Sequence, residues 1–544
     1  MTVPFLRGLA LSAALLLLVG CVSTPPGPAP IAKLAPAQWH APLPHEGQPM
    51  RLTQWWRGQG DALLAALIDA AQAASPDMAS ARARRVEAQA ARVAAGAALV
   101  PTLDGQLSTS KGNALSGSMP SSMLGGLSIP PLVTTQAALQ AGWEIDLFGA
   151  VRANRAAAQA QLEARQAQWH AARVSVAADT ALAYFNERAC RRQADVLAAN
   201  AASSAETTRL AELAAQAGFQ AVADVQRARA GAAGAAAQFK QQRAACAVMR
   251  QGLAALTGID AAALEAQLDA APPEPDLPAL GSISAVPAQT LLQRPDLYAA
   301  ERAVMAASAQ VGVARAQQLP RLTLQGNIGR LQYQGGTFSE SMSTWSFGPL
   351  ALSLPIFDAG RKAAQVEAAR ARYDEAVSLY RASVRQAVRE VEQALVNLDS
   401  IDARTTDART AVDNAQGVLA ATQLRYDAGM ASLLELEDAR RPLLSQRSGL
   451  VDLQRQRAEA FVALYRAMGG GWSRAEGGDA NTAGHGDQNV NQNVNQNADQ
   501  NADKSLGKSA DKSADKSAVQ KNQGARPGAN NAAAAARISS PSLP

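Results

Sequence analysis

Cysteine, histidine and aromatic residues are scarce in this chain, and each scarcity closes off a class of function. The three cysteines, Cys21, Cys190 and Cys246, form no CxxC pair, and the four histidines, His40, His45, His170 and His485, stand far apart, so no metal-ligand spacing is present. Cys190 and Cys246 read as buried small apolar residues or free thiols, because their spacing does not pair them. His170, inside a long helical pattern, reads as a surface or packing residue. An excess of one charge sign is also missing. Lys+Arg 51 against Asp+Glu 46 leaves +5, with the signs interspersed, which excludes a dedicated nucleic-acid binder. HExxH, GxSxG and phosphate-cradling glycine loops are absent. The S-x-x-K matches, Ser509 to Lys512 and Ser513 to Lys516, lie in a low-complexity tail without the scaffold a nucleophile needs. No enzyme and no cofactor is expected. Beyond Cys21 no run of eighteen apolar residues exists, so a mature chain that crosses a membrane must do so as strands.

What is present is Ala, Gln and Arg in quantity, over 544 residues, and these are helix formers. The amino terminus is an address. Arg7 precedes an apolar run, Leu9 to Val19, too short for a mature membrane span, which reads as a signal peptide over residues 1–20. It ends in Leu18-Val19-Gly20-Cys21, which resembles the bacterial lipobox and implies acylation of Cys21. Val22 follows rather than the Asp that marks inner-membrane retention, which implies the outer membrane.

The chain then repeats itself. Pro76-Asp77-Met78 through Pro101-Thr102-Leu103 echoes Pro295-Asp296-Leu297 through Pro320-Arg321-Leu322. Ile145 to Arg152 echoes Leu354 to Arg361, and Gly218 with Asp224 echoes Gly429 with Glu435. Three landmarks in one order at nearly constant separation define two structural repeats, 61–270 and 294–472. An N-terminal segment, 21–60, precedes them; a linker, 271–293, joins them; a tail, 473–544, has too few large apolar residues to fold.

Each repeat reads helix, strand, loop, strand, long helix, turn, return helix. Apolar residues at threes and fours from Tyr373 through Tyr380, Val384, Val391, Leu395, Leu398 and Ile401 to Tyr426 make a heptad-like seam. They predict a helix over 361–427, returning over 430–468; the first repeat predicts 150–217 and 219–257, with alanine in many seam positions. Gly218 and Gly429 end the long helices as C-terminal caps. Strands are predicted at 101–112, 134–148, 320–331 and 344–357. Their alternation puts Trp143 and Leu324 on an apolar face and Glu144 and Gln325 on a polar one. The fourth strand changes parity around Pro349, which a bulge reconciles. Four strands cannot close a barrel, so a sheet in lipid requires other copies: three chains give twelve strands and an open pore.

The lipobox, Trp55-Trp56 with Asp61-Ala62-Leu63-Leu64, Trp143 to Gly149, Arg294-Pro295-Asp296-Leu297, Pro355 to Gly360 and Tyr465 to Trp472 together resemble the TolC-like outer-membrane factor family, of the NodT lipoprotein type, over residues 21–472. The resemblance implies an α+β homotrimer, a transmembrane antiparallel β-barrel continued by a long α-helical coiled-coil barrel. It also implies an exit duct for an inner-membrane RND-type or other efflux pump, joined by a periplasmic adaptor (membrane fusion) protein. It places acidic selectivity residues at Glu435 and Asp438, and Tyr426 with Asp224 as a hydrogen-bonded pair closing the aperture. The usual arginine partner is here Ala431. The alternative class is a periplasmic coiled-coil lipoprotein with a structural or adaptor role.

Overall fold

A computed structural model describes residues 24–40, 56, 61–112, 132–271, 287–335 and 338–472. The chain divides at Gly477, and every described residue belongs to the first unit. The segment read as a signal peptide, Cys21, Trp55 and the tail lie outside the described residues.

The first repeat comprises α2 (Ala62–Ala74), α3 (Pro76–Ala97), β1 (Thr102–Gly112), β2 (Leu132–Ile145), α4 (Ala150–Gln216), α5 (Val222–Thr257) and α6 (Ala261–Ala270); a short α1 (Ile31–Leu34) precedes it. A short α7 (Pro287–Leu291) lies in the linker, and the second repeat comprises α8 (Pro295–Ala316), β3 (Arg321–Gly335), β4 (Phe338–Ser353), α9 (Arg361–Asp427) and α10 (Leu433–Ala467). The long helices α4 and α9 have 67 residues each, which at 1.5 Å per residue is about 100 Å. Several strand boundaries differ from expectation: β2 runs from Leu132 to Ile145 and β3 continues to Gly335. The fourth strand begins at Phe338 and stops at Ser353. Its first third, Ser339-Glu340-Ser341, lacks apolar alternation, and only pairing with β3 makes it a strand.

The four strands form one antiparallel sheet in chain order. Its register brings Leu103 opposite Ala141, Trp143 opposite Leu324, Ile328 opposite Trp345 and Leu322 opposite Leu352. These residues share one face. The register shifts between Leu324 and Gly326, opposite Leu350 and Phe347. The added residue is accommodated at Gly348-Pro349, so Trp345, Phe347, Leu350 and Leu352 reach the same face despite their odd and even positions. The opposite face carries Asp104, Gln106, Gln140, Glu144, Thr323 and Asn327, with Gln140 donating to Gln106 at 2.8 Å.

The helices continue the order of the strands. α3 packs on α4, α4 on α8 and α8 on α9, so a row of four helices runs from the row of four strands. Farther from the sheet, α5 packs on α4 and α10 on both α9 and α4. The main core lies at the waist, where α2, α4, α5, α9 and α10 converge on Trp56, Leu64, Leu67, Tyr184, Leu253, Leu395 and Leu464. Asp61 caps α2 by accepting from Leu64 N and also accepts from the Tyr184 hydroxyl at 2.7 Å. The terminal motifs meet nearby: Arg294, buried, pairs with Asp296 and Glu390 and donates to the Ala467 carbonyl at 2.8 Å, while Trp472 lies 5.2 Å from the Tyr298 ring.

Two expectations need correction. Cys190 and Cys246 are neither free thiols nor simply small apolar residues: they form a disulfide between α4 and α5, with Cα atoms 5.6 Å apart. Spacing did not show this because the antiparallel helix register brings residues 56 positions apart into contact. The last fully buried residue of the α9 seam is Ile401; Thr405, Ala408, Val412, Ala415 and Leu419 beyond it are half-buried. Up to that point α9 shares one apolar cluster with α1, α7 and α8 and a second with α2, α4 and α10.

Candidate functional site: the sheet face and the helix tips

Two regions carry the sequence-predicted site residues. On the sheet, Trp345 is 78% exposed and Phe347 82%, and Leu103, Leu107, Ile328, Leu350 and Leu352 are also exposed. This apolar belt runs from Leu322 to Ile328 along β3, about 20 Å at the rise of a strand. Past Ile328 the same face turns polar, with Arg330 and Gln332. A band of large apolar side chains on one face, with a polar opposite face, is the pattern of strands between lipid and water. β1 and β4 leave their outer edges unpaired in the single chain. No helix among the described residues is long and apolar enough to cross a membrane.

At the far end of the helices the two tips share one turn. Gly218 has φ 80° and Gly429 φ 71°, with open space around both. Phe219 N donates to Ala214 O and Met430 N to Arg425 O, the long bond of a Schellman cap, so glycine is required for its backbone angle rather than for room. After each turn the return helix places an acid at its third residue: Asp224 in α5 and Glu435 in α10. There the roles part. Asp224 pairs with Arg227 at 2.9 Å. Glu435 completes a capping box with Ser432 and accepts from Arg425 at 3.4 Å. Asp438, one turn on, pairs with Arg441 at 3.4 Å.

Tyr426 and Asp224 line one cavity between the coils, but the single chain does not bond them to each other: the Asp224 carboxylate is engaged by Arg227. The Tyr426 ring packs with Ala211, Val225 and Leu433, and burial, reinforced by Asp427 and Glu437, pushes its hydroxyl above the ordinary tyrosine range. Sequence reasoning missed Arg440. It is 7% exposed, pairs with Glu437 and donates to Thr207 Oγ1 of α4 at 3.0 Å, linking the second coil to the first. Glu437 three residues earlier was the available signal. Ala431 lines the same cavity and offers no donor.

Among the described residues no group of three or more His, Cys, Asp or Glu side chains could hold a metal ion. His170 packs 4.8 Å from Trp169 and 6.1 Å from Trp472, ring to ring. Burial, then Arg173 and Arg85, lowers its pKa from 6.5 to about 4. It is a neutral packing residue near the waist.

A sheet with one lipid-compatible face, joined in strand order to a row of four helices of which two have 67 residues, is the layout of a channel-type wall segment. The comparisons agree. Residues 67–259 and 286–470 match the family model described as outer membrane efflux protein, and this chain belongs to that family. It is 30% identical over 473 residues to the pyoverdine export outer membrane protein OpmQ of Pseudomonas putida, covering 87% of this chain and 98% of that one. It is 32% identical over 478 residues to the solvent efflux pump outer membrane protein SrpC of Pseudomonas putida, covering 85% and 97%. The open state of the Neisseria gonorrhoeae MtrE outer membrane channel superposes with a TM-score of 0.69 at 26% identity, covering 84% of this chain and 99% of that one. The family places the chain in the outer membrane and is one of efflux channels, not of enzymes.

Proposed function

We propose that the chain assembles as a homotrimer, a passive outer-membrane exit duct that receives small molecules from an inner-membrane pump through a periplasmic adaptor. The observation that carries this is the sheet: its apolar belt faces outward on a wall whose two edge strands are open. Unpaired strand edges are not tolerated in hydrocarbon, so closure comes from further copies, and three copies give a twelve-stranded pore.

Acylation of Cys21 fits the course of the chain that follows it. Thr24 lies against Gly312, Ser308 and Tyr373 donate to the carbonyls of Pro25 and Pro26, and Tyr380 donates to that of Ala29. The strap therefore begins near the end of α8 that leads into β3, close to the membrane level, and runs away from it. Lipid on Cys21 would enter the inner leaflet beside the barrel, adding to an anchorage the barrel already provides.

At the tips, Tyr426 and Asp224 hold the aperture closed, and Glu435 and Asp438 set six carboxylates around it in a trimer. Their arginine partners are exposed and at 3.4 Å, so they screen these carboxylates only weakly. Single-channel conductance of the purified protein in planar bilayers tests the duct. Discrete, long-lived open levels are expected, and a protein that never conducts overturns it. Tyr426→Phe with Asp224→Ala should raise conductance. Glu435→Ala with Asp438→Ala should lower cation selectivity, and unchanged selectivity would return these residues to a solvated helix face.

A further inference from the structure

The row α3, α4, α8, α9 encloses a concavity of about 830 Å³ on one of its faces. Alanines, among them Ala164, Ala303, Ala307 and Ala368, make a low floor, and the rim is basic: Arg84 from α3, Arg165 from α4 and Arg372 from α9. Glu87 is its only carboxylate, so each chain contributes two net positive charges and a trimer six. All three arginines are exposed, and no ion pair joins them to a described carboxylate; Arg165 donates to Gln168 at 2.9 Å.

The side of the wall follows from α8. Leu297, Val304, Ser308 and Gly312 lie on one stripe of that helix and meet the amino-terminal strap or the apolar cluster beneath it. Ala303, Ala307, Gln310, Ala314 and Gln317, which line the concavity, lie on the opposite stripe at the 3.6-residue period. A strap that starts three residues after a lipid-anchor position runs outside a barrel, so the concavity faces inside.

We propose that Arg84, Arg165 and Arg372 form an anion-binding belt in the lumen of the helical barrel, near the membrane end, which attracts and briefly holds polyanionic or carboxylate-rich cargo. This deepens the duct reading and rests on it. A lumen with low-dielectric walls focuses the field of six net charges, and guanidinium forks bind phosphate and carboxylate groups in bidentate fashion. Amides of Gln161, Gln310 and Gln365 add neutral donors on the same rim. Arg372 and Asp427 are 55 residues apart on one helix, so the belt stands about 80 Å above the acidic tip. That is many Debye lengths, and the two charge rings act independently.

The test uses the full-length trimer in planar bilayers with inorganic tripolyphosphate as the probe. Wild type should show a voltage-dependent block. Arg84→Gln/Arg165→Gln/Arg372→Gln should raise the half-blocking concentration by about tenfold or more and shift the reversal potential in a KCl gradient towards potassium. Glu435→Ala/Asp438→Ala should leave the block unchanged. If the triple variant does not assemble, Gln310→Glu, which adds one carboxylate to the same concavity, should weaken the block in the same direction. A wild-type channel that conducts but is not blocked overturns the belt alone, as does a block that survives the triple variant or Gln310→Glu. A protein that does not conduct overturns the duct, and the belt with it.

Discussion

The two coils of this molecule are built on one plan and held together in different ways. In the first, α4 against α5, the buried residues are mostly small: Ala177, Ala178, Ala181, Ala189, Ala194 and Ala211 in α4, Ala235 and Ala254 in α5. Alanine contributes little burial energy but allows close helix approach. A disulfide between Cys190 and Cys246 adds the cohesion that area does not supply. In the second, α9 against α10, Val391, Leu395, Leu398 and Ile401 cluster with Phe461, Leu464 and Tyr465. No covalent link is needed there. Its tip starts with a capping box, and ten residues into α10 stands Pro442, which removes a helical hydrogen bond. The first tip has no side-chain cap. The first coil is thus a stapled unit with a plain tip, and the second is a packed unit with a capped tip and a weak point behind it. Packing and cross-linking are interchangeable only in total stability; they distribute it differently along the helices.

The largest effect should come from the staple. Replacing Cys190 and Cys246 by Ser removes a cross-link over 56 residues, worth about 4 kcal/mol in the chain-entropy limit. Hydrogen exchange should quicken over 190–257 and stay unchanged over 401–460; equal loss in both coils would break the comparison.

The sheet should behave oppositely, because there the repeats are equivalent. Trp143 and Leu324 are cross-strand partners on the apolar face, so Trp143→Arg and Leu324→Arg should each cost about 2–4 kcal/mol per chain. Heat-modifiable oligomers on gels should vanish for both and persist for Gln325→Arg. Equal tolerance at 324 and 325 would mean that the apolar face does not meet lipid.

A smaller effect separates the long helices by pH. His170 of α4 is held neutral with its pKa near 4, so an unfolded chain takes up a proton that the folded chain refuses. Its contribution to stability is complete above about pH 6.5 and is lost as the pH falls from there towards 4. His170→Gln should flatten that acid limb of a thermal-denaturation series. The corresponding position of α9 holds no histidine: it is Arg381.

The smallest effects lie at the tips. Ser432→Ala should cost about 1 kcal/mol by removing the cap, whereas Ala221→Ser should gain up to as much by supplying one to α5. Exchange of the first-turn amides of α5 and α10 reads both changes. A gain at Ala221 with no loss at Ser432 would mean that the capping box is idle.

Most of the architecture was written locally. Apolar residues at threes and fours from Tyr373 onward make a helix whatever it meets, and the two tip glycines end the long helices where left-handed backbone angles are needed. The alternation around Trp143 and Leu324 fixed which strand face is apolar, and the parity change at Pro349 located a bulge before any partner strand was known. The echo between residues 76–103 and 295–322 announced the repeat. These signals are legible because helix and strand periods, caps and turns depend on neighbours in the chain.

Other features depended on register between distant segments, to which no local pattern is sensitive. Cys190 meets Cys246 because α5 folds back along α4 by a definite number of turns. The guanidinium of Arg294 reaches the Ala467 carbonyl, and Arg440 reaches Thr207, across more than 170 residues in each case. Asp224, legible as an acid at a tip, took Arg227 rather than Tyr426 as its partner in the single chain. Arg84, Arg165 and Arg372 carry no motif at all; three helices lying side by side bring them onto one concavity. The sequence by itself determined the elements, the caps of the long helices and the strand faces, because those follow from steric and hydrogen-bond preferences within a few residues. Only the tertiary structure decided which side chains meet, because that follows from the packing offset between elements, where a shift of one turn exchanges every partner.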